Sequence, residues 1–343
     1  MSRPTVAAAF PNAFLEFAVA RGADRAALIE RSRLSSDDLK EPSNRVALQS
    51  YLELMQAGIE MCGEPALALI FGETVRTQDL SIVGLIGEQA TSWESGREQM
   101  NRYAPLMIDS DDGPASDLVE FIQEGDDLWL RATTSLYTDY PLLAESAFAR
   151  TICGVRELAA TGRFSTNGPF PKAIRFTHAE PGYRAEYDRI FRVPISFSSD
   201  MNAVLVDKAF LAMNFPQPNP YLSQILTAHA EELLNDLERS KSMRGRVEGL
   251  LIPILHTGNA SIEAIAEQLS ISRQTLFRKL KAEGVTFEKV LDELRHKLAL
   301  EYLNRKHLSV NETAYLLGFS EPAAFSRAFK RWTGSSPKEH LSK

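Results

Sequence analysis

Cysteine is scarce in this chain, and so are the patterns that mark disulfide-bonded or metal-binding proteins. The 343 residues include two cysteines, Cys62 and Cys153, which are 91 positions apart and belong to no C-x-x-C or Cys/His cluster. This excludes a disulfide framework and provides no metal site. We expect two reduced and mostly buried thiols.

Long apolar runs and export signals are missing as well. No run approaches the roughly 18 apolar residues needed to cross a bilayer. The opening MSRPTVAAAF carries a single arginine and runs directly into Pro11, unlike a signal peptide. The sequence therefore predicts a cytoplasmic protein with no membrane partner.

Motifs for catalysis and nucleotide binding are also absent. The chain has no H-E-x-x-H, Walker A, G-x-S-x-G or G-x-G-x-x-G pattern. His178 lies near Glu180, but no candidate nucleophile accompanies this pair. We therefore predict that the protein is not an enzyme and uses no cofactor.

The charge is negative overall but unevenly distributed. The formal net charge is −7, yet residues 244–343 carry 16 Lys and Arg against 11 Asp and Glu, whereas the preceding residues carry a net −12. Charges farther than about 10 Å are screened at moderate salt, so DNA responds to the local field. A basic C-terminal region is therefore compatible with a DNA partner.

The first 218 residues predict an α+β domain. Apolar residues recur at helical spacing in 12–40 and 46–61. Residues 118–123 and 128–133, separated by EGDD, predict a β-hairpin. Further strands are predicted at 173–178 and 193–197, with a strand that breaks into a turn at 203–211. We expect an effector-sensing domain of helices and a small antiparallel sheet over 1–218.

Three prolines in residues 214–220 indicate a boundary, and a helix is predicted for 221–240 within a linker at 219–243. Its residues Leu222, Leu226, His229 and Leu233 recur at coiled-coil-like spacing. This seam fits either homodimerisation or packing on the sensing domain, and His229 fits a partnered core histidine better than a metal ligand.

An internal repeat dominates the C-terminal region. Residues 261–284 and 309–334 align with an offset of 48, which becomes 49 after one extra residue in the second copy. Each copy has the pattern of a helix-turn-helix unit. Residues 286–303 join the copies as one amphipathic helix. We predict an all-α DNA-binding domain over 244–343, with two second helices roughly 34 Å apart for successive major grooves.

Caps and core positions support this interpretation. Ser261 and Ser309 are placed to cap the first helices, and Ser272 and Ser320 to cap the second ones. Apolar residues four apart are predicted to face the core of each unit, namely Leu276 and Leu280 in the first copy and Phe325 and Phe329 in the second.

These residues resemble the AraC/XylS family of bacterial regulators, most densely at 261–340, where GFSEPAAFSRAFKRWTG is close to the family's second-unit signature. The resemblance implies base contacts by Arg273, Gln274, Phe277, Arg278, Glu321, Pro322, Ala323 and Arg327. It implies phosphate contacts by Lys281, Lys330 and Arg331.

One position departs from the family pattern. The turn glycine of the second copy, Gly318, corresponds to Ser270 in the first. That turn must accept a left-handed serine or differ in shape. Phe277 is a poor hydrogen-bonding reader and suits a thymine methyl group better.

The N-terminal part resembles the ornithine-regulator-like branch of the same family, with an arabinose-binding-type domain. The similarity runs through GEPALALIFGE, through residues 175–211 and into the 221–240 helix. It implies an α+β effector domain rather than a cupin barrel, and the domain's name does not make arabinose the ligand.

Three functions are then open. The first is a regulator that binds double-stranded DNA, acts with RNA polymerase and is controlled by a small effector, as a homodimer. The second is a ligand-independent regulator whose acidic domain serves dimerisation or a protein partner. The third is an enzyme fused to the DNA-binding unit, but this needs a cysteine-rich zinc site that Cys62 and Cys153 do not supply.

Overall fold

The computed structural model describes residues 4–110, 118–162, 170–211, 215, 219–304 and 308–341. Contacts divide the chain into two compact units, Met1–Leu234 and Asn235–Lys343. Each unit is built on its own hydrophobic core. The proline-rich segment 214–220, for which the sequence predicts a boundary, lies mostly outside the described residues.

Helices make up most of the first unit. They are α1 (Ala9–Val19), α2 (Arg25–Ser32), α3 (Leu48–Cys62), α4 (Leu67–Thr74), α5 (Thr77–Leu80), α6 (Ile82–Glu88), α7 (Trp93–Met107), α8 (Leu136–Asp139), α9 (Pro141–Ala160), α10 (Arg184–Phe191), α11 (Lys208–Leu211) and most of α12 (Pro220–Lys241). The helical prediction for 12–40 is divided between α1 and α2, because Asp24 accepts a hydrogen bond from the Ala27 amide and starts a new helix.

Two small sheets complete this unit. Their strands are β1 (Thr5–Ala7), β2 (Arg45–Ala47), β3 (Ile108–Asp109), β4 (Val119–Glu124), β5 (Asp127–Ala132), β6 (Ala173–Arg175), β7 (Ile195–Ser196) and β8 (Ala203–Val206). The orders are β2-β1-β3 and β4-β5-β8-β6-β7. The predicted hairpin is confirmed, with Val119 opposite Ala132. The predicted small antiparallel sheet is confirmed, with one exception in its pairing, since β6 and β7 are parallel.

Helix α9 lies against α4 at unusually short range. A Cβ atom at Gly72 would lie 2.3 Å from the carbonyl oxygen of Ser146 and 2.9 Å from the Cβ of Ala149. Glycine is therefore required where these helices cross. This crossing places α9 between the main helical core around Phe14 and the aromatic cluster around Phe176.

Helix α12 packs on the first unit through one face. Ala230 is buried, and Leu226 and Leu234 lie against the main core. Glu231 accepts one hydrogen bond from the Tyr103 hydroxyl and forms an ion pair of 2.7 Å with Arg102. Of the residues with coiled-coil-like spacing, Leu226 therefore packs on the first unit, whereas Leu222 does not.

The other face of α12 is open to solvent. Leu222 is 42% exposed and the His229 side chain 58% exposed. The prediction of a partnered core histidine at His229 is wrong, because the helix turns this ring away from the core.

The structure shows the state of the two cysteines, Cys62 and Cys153. Both cysteines are free and half-buried, so the thiols form no disulfide but are more accessible than predicted.

Over the described residues, no single helix has the length and hydropathy to span a bilayer. Helices α3 and α4 have them only when taken together, and the chain bends by 106° between them.

The second unit is entirely helical in its described part. After the end of α12 come α13 (Met243–Leu251), a 3-10 helix (Ile252–Thr257), α14 (Ile262–Gln268), α15 (Arg273–Ala282), α16 (Phe287–Asn304), α17 (Val310–Leu316), α18 (Pro322–Thr333) and α19 (Pro337–Leu341). The predicted long helix over 286–303 is confirmed as α16.

Candidate nucleic-acid interface

The first helix-turn-helix unit consists of α14 and α15. Ser261 begins α14 by accepting a hydrogen bond of 3.2 Å from the Ala264 amide. Ser272 begins α15 in the same way, with 3.1 Å to the Thr275 amide. Both predicted caps are therefore confirmed, and each satisfies an amide that the helix itself leaves unpaired.

The turn of this unit contains a left-handed serine. Ser270 has a φ of 53°, a conformation that non-glycine residues seldom adopt. The corresponding Gly318 has a φ of 71°, and a Cβ atom there would lie 2.0 Å from the carbonyl oxygen of Leu255. The two turns therefore share a backbone shape, but only the second requires glycine for space.

The second unit consists of α17 and α18. Ser309 and Glu312 form a reciprocal capping box at the start of α17. The predicted cap by Ser320 is wrong. Because of the extra residue in this copy, α18 begins at Pro322 with Glu321 as its N-cap, and no side chain caps it. Proline in the first turn has no amide that needs a partner.

One continuous core holds both units. The four predicted core positions Leu276, Leu280, Phe325 and Phe329 are at most 1% exposed, and all belong to a single hydrophobic cluster. The same cluster includes Leu294 and other residues of α16. The relative placement of α15 and α18 is therefore fixed by shared packing.

Arg295 on α16 adds a polar link to the second unit. Its Nε donates a hydrogen bond of 2.9 Å to the carbonyl oxygen of Leu317, and its guanidinium lies 4.8 Å from the ring centre of Phe319. Burial lowers the pKa of Arg295 from its ordinary value. The sequence does not indicate this contact, because a lone arginine on an amphipathic helix gives no sign of a partner 22 positions away.

Asp292, also on α16, contacts the end of α18. It accepts hydrogen bonds of 2.5 Å from Arg331 and 2.8 Å from the indole of Trp332. The sequence does not indicate these contacts either. These contacts fix the direction of one of the predicted phosphate-binding side chains.

All eleven predicted DNA-contacting residues lie on the solvent side of their helices. The side chains that are exposed are those of all eleven residues: Arg273, Gln274, Phe277, Arg278, Lys281, Glu321, Pro322, Ala323, Arg327, Lys330 and Arg331. Phe277 is 52% exposed, which is unusual for a large apolar side chain in a folded unit.

Most of the cationic side chains in this set are free to meet an anion. Within the described ranges, Arg278, Lys281, Arg327 and Lys330 form no ion pair or hydrogen bond with another side chain. Arg273 differs, since it forms an ion pair of 3.0 Å with Glu263. The arrangement presents unpaired positive charge on the exposed faces of two rigidly held helices.

Known proteins share both parts of this architecture. Residues 22–215 match the family model of the arabinose-binding domain of the AraC transcription regulator, and residues 265–343 match that of a helix-turn-helix domain.

Individual relatives cover most of the chain. It is 28% identical over 337 residues to the ornithine utilization regulator of Pseudomonas aeruginosa, spanning 98% of this chain and 96% of that protein. It is 27% identical over 306 residues to the regulator VirS of Mycobacterium tuberculosis, spanning 86% of this chain and 84% of that protein. The solved structure of the transcriptional regulator CdpR from P. aeruginosa aligns over 93% of this chain and 96% of its own, with 22% identity and a TM-score of 0.39.

The arabinose-binding-domain model alone covers more than half of the residues, and the similarity to regulators continues through both units. The resemblance inferred from the sequence is thereby confirmed. The chain belongs to the AraC family of helix-turn-helix transcription regulators.

Proposed function

We propose that the protein reads its operator with α15 and α18 in successive major grooves, under the control of a small molecule bound in the N-terminal domain. The observation that carries this proposal is the exposure of Arg278 and Arg327, unpaired, on helices that share one core. Arginine is the residue type that most often reads guanine edges. Effector control is supported by the match of residues 22–215 to a ligand-binding domain type.

The residues take two roles in this proposal. Arg273, Gln274, Phe277, Arg278, Glu321, Pro322, Ala323 and Arg327 face the bases, and Lys281, Lys330 and Arg331 bind phosphates. Arg273 must leave Glu263 to reach a base, whereas Arg331 is held in place by Asp292. We place the boundaries of the sensing domain, linker and DNA-binding domain at 1–218, 219–243 and 244–343.

Binding to a selected operator tests the assignment. The operator is first enriched from random DNA with the full-length protein, and its affinity is then measured for Arg278→Ala and Arg327→Ala. Each change should weaken specific binding by about 1–3 kcal/mol and relax the preference at one base position. Arg239→Ala, on α12, is the control. Unchanged affinity in both variants would mean that these helices do not read DNA.

We also infer that the protein acts as a homodimer that contacts RNA polymerase in the bacterial cytoplasm. Support for the dimer comes from α12, where Tyr221, Leu222 and Ile225 are 74%, 42% and 47% exposed. Adjacent exposed apolar side chains of this size commonly mark an interaction surface. The second candidate function, a ligand-independent regulator, draws on the same observation, because this face serves dimerisation without an effector.

A further inference from the structure

Among the described residues of the N-terminal unit, one arginine has no acidic partner. Arg150 on α9 is partly buried, and its guanidinium is 5.2 Å from the ring centre of Phe10. Its single hydrogen bond to a described residue is a long one, 3.4 Å from Nη1 to the Ser146 hydroxyl. No Asp or Glu of the described chain pairs with it.

Two tyrosine hydroxyls interact electrostatically with this arginine. Tyr51 on α3 is 3% exposed and Tyr137 on α8 is half-buried, and both phenols oppose the lowering of the Arg150 pKa that burial causes. Neither hydroxyl has a hydrogen-bond partner among the described residues.

The free-energy cost of burying an arginine without an acidic partner favours the binding of an anion beside it. A buried carboxyl can lose its charge by binding a proton, and burial raises the pKa of nearby Glu145 in that direction. Arginine cannot follow this route, because it stays protonated in proteins. An unpaired arginine in a partly dry site is therefore destabilising unless a ligand supplies the negative charge.

The donor set matches a carboxylate. Arginine offers a planar pair of N–H groups, and each phenol offers one further donor. The Phe10 ring and the faces of the two tyrosines provide apolar walls, which suit the body of a small organic molecule rather than a bare inorganic ion.

We propose that Arg150, Tyr51 and Tyr137 bind the carboxylate of a small organic acid that serves as the effector. The inference rests on the proposed function only in treating the N-terminal domain as a sensor.

Thermal unfolding of the full-length protein with benzoate, phenylacetate and butyrate tests the site. A ligand that binds only the folded state raises the melting temperature. We expect a rise with these carboxylates and none with benzyl alcohol or benzylamine, which match the ring but lack the anion. Arg150→Met should abolish the response. Tyr51→Phe should weaken binding about ten-fold, as expected for one hydrogen bond to a charged group.

Arg21→Met is the matched control, since Arg21 also lies over a phenylalanine ring, 3.5 Å from the centre of Phe17, but on the surface. It should respond to carboxylates like the wild type. The ligand-free stability of Arg150→Met gives a second readout. A ligand site predicts stability equal to or above that of the wild type, because an unpaired charge has been removed, whereas a purely structural arginine predicts a loss.

Four results would overturn the inference: equal stabilisation by the neutral or cationic analogues, a wild-type response in Arg150→Met, no response of the wild type to any of the carboxylates, or a ligand-free Arg150→Met that is less stable than the wild type. DNA binding separates this from the regulator proposal. If operator affinity depends on Arg278 and Arg327 while carboxylates fail, the regulator stands and the effector class is wrong.

Discussion

The Nε of Arg295 and the carbonyl oxygen of Leu317 are joined by a hydrogen bond of 2.9 Å between the linking helix α16 and the second helix-turn-helix turn. Nη2 of the same arginine reaches the Gly318 carbonyl at 3.4 Å. Arg295→Met should leave the Leu317 carbonyl without its partner and lower the free energy of unfolding by about 1–3 kcal/mol. Urea denaturation measures this loss.

Lys297→Met is the control for Arg295→Met, because Lys297 is exposed on the same helix. It should change the unfolding free energy by less than about 0.5 kcal/mol. If the two variants were equally stable, the contact with Leu317 would have no role in fixing the second unit.

The turn residues of the two helix-turn-helix units, Ser270 and Gly318, can each be replaced by the residue found in the other unit. Gly318→Ser should destabilise the protein strongly, because the new Cβ would lie 2.0 Å from the Leu255 carbonyl at a φ of 71°. Ser270→Gly removes a serine from the left-handed conformation, which costs the folded protein roughly 1–2 kcal/mol. The same change raises the conformational entropy of the unfolded chain, which offsets part of the gain in stability. We expect a change between zero and about 1 kcal/mol of stabilisation. A well-folded Gly318→Ser variant with wild-type melting temperature would contradict the close approach to Leu255.

The helix-turn-helix units were predictable because their determinants are local. The four core positions, Leu276, Leu280, Phe325 and Phe329, repeat four residues apart, and the caps at Ser261 and Ser272 lie next to the helices they start. The error at Ser320 has the same origin. One inserted residue moved the helix start to Pro322, and alignment with the first copy does not show on which side of Ser320 the insertion lies.

Much of the N-terminal unit could not be predicted, because its contacts join distant segments. Strand β1 pairs with residues about 40 and 100 positions away, and three residues are too few to show alternation. Helix α9 is not predicted from the sequence, although Pro141 at its start is a usual first-turn signal. The grouping of Arg150 with Tyr51 and Tyr137 depends on the packing of three helices, and spacing along the chain does not reveal it.

Salt dependence of DNA binding tests the phosphate contacts. Lys281→Ala should weaken binding to all sequences alike and reduce the slope of log affinity against log salt by about one unit, since one fewer counterion is released. Titrations at several salt concentrations measure the slope. Lys289→Ala, on α16 and 3.9 Å from Glu293, should keep the wild-type slope. An unchanged slope for Lys281→Ala would remove this residue from the phosphate contacts.

The buried Glu145 predicts a pH-dependent loss of stability. Burial raises the pKa of this carboxyl, against the opposing effect of hydrogen bonds of 2.7 Å from Tyr187 and Tyr183. A carboxyl whose pKa rises on folding stabilises the protein below its unfolded pKa, near 4.3, and this contribution disappears as the pH rises through the folded value. The wild type should therefore lose stability relative to Glu145→Gln as the pH increases from about 4 to 7.

Urea denaturation at several pH values measures the difference, with Glu157→Gln on the surface of the same helix as the control. If the wild type and Glu145→Gln had parallel pH profiles, the carboxyl would titrate alike in the folded and unfolded states.

The open face of α12 predicts a dimer that single substitutions can separate. Tyr221, Leu222 and Ile225 lie within five consecutive residues and are exposed, so replacing them does not disturb the core. Ile225→Lys places two like charges at a symmetric contact and removes buried apolar area, so the variant should be monomeric where the wild type is dimeric. Sedimentation equilibrium of the full-length protein measures this, with Gln224→Lys, exposed on the same helix, as the charge-matched control.

The melting temperature of Ile225→Lys at low concentration should match that of the wild type, since a monomer loses only the dimer contact. A dimer that persists in Ile225→Lys would assign association to another surface, and a monomeric wild type at micromolar concentration would leave this apolar face without a partner copy.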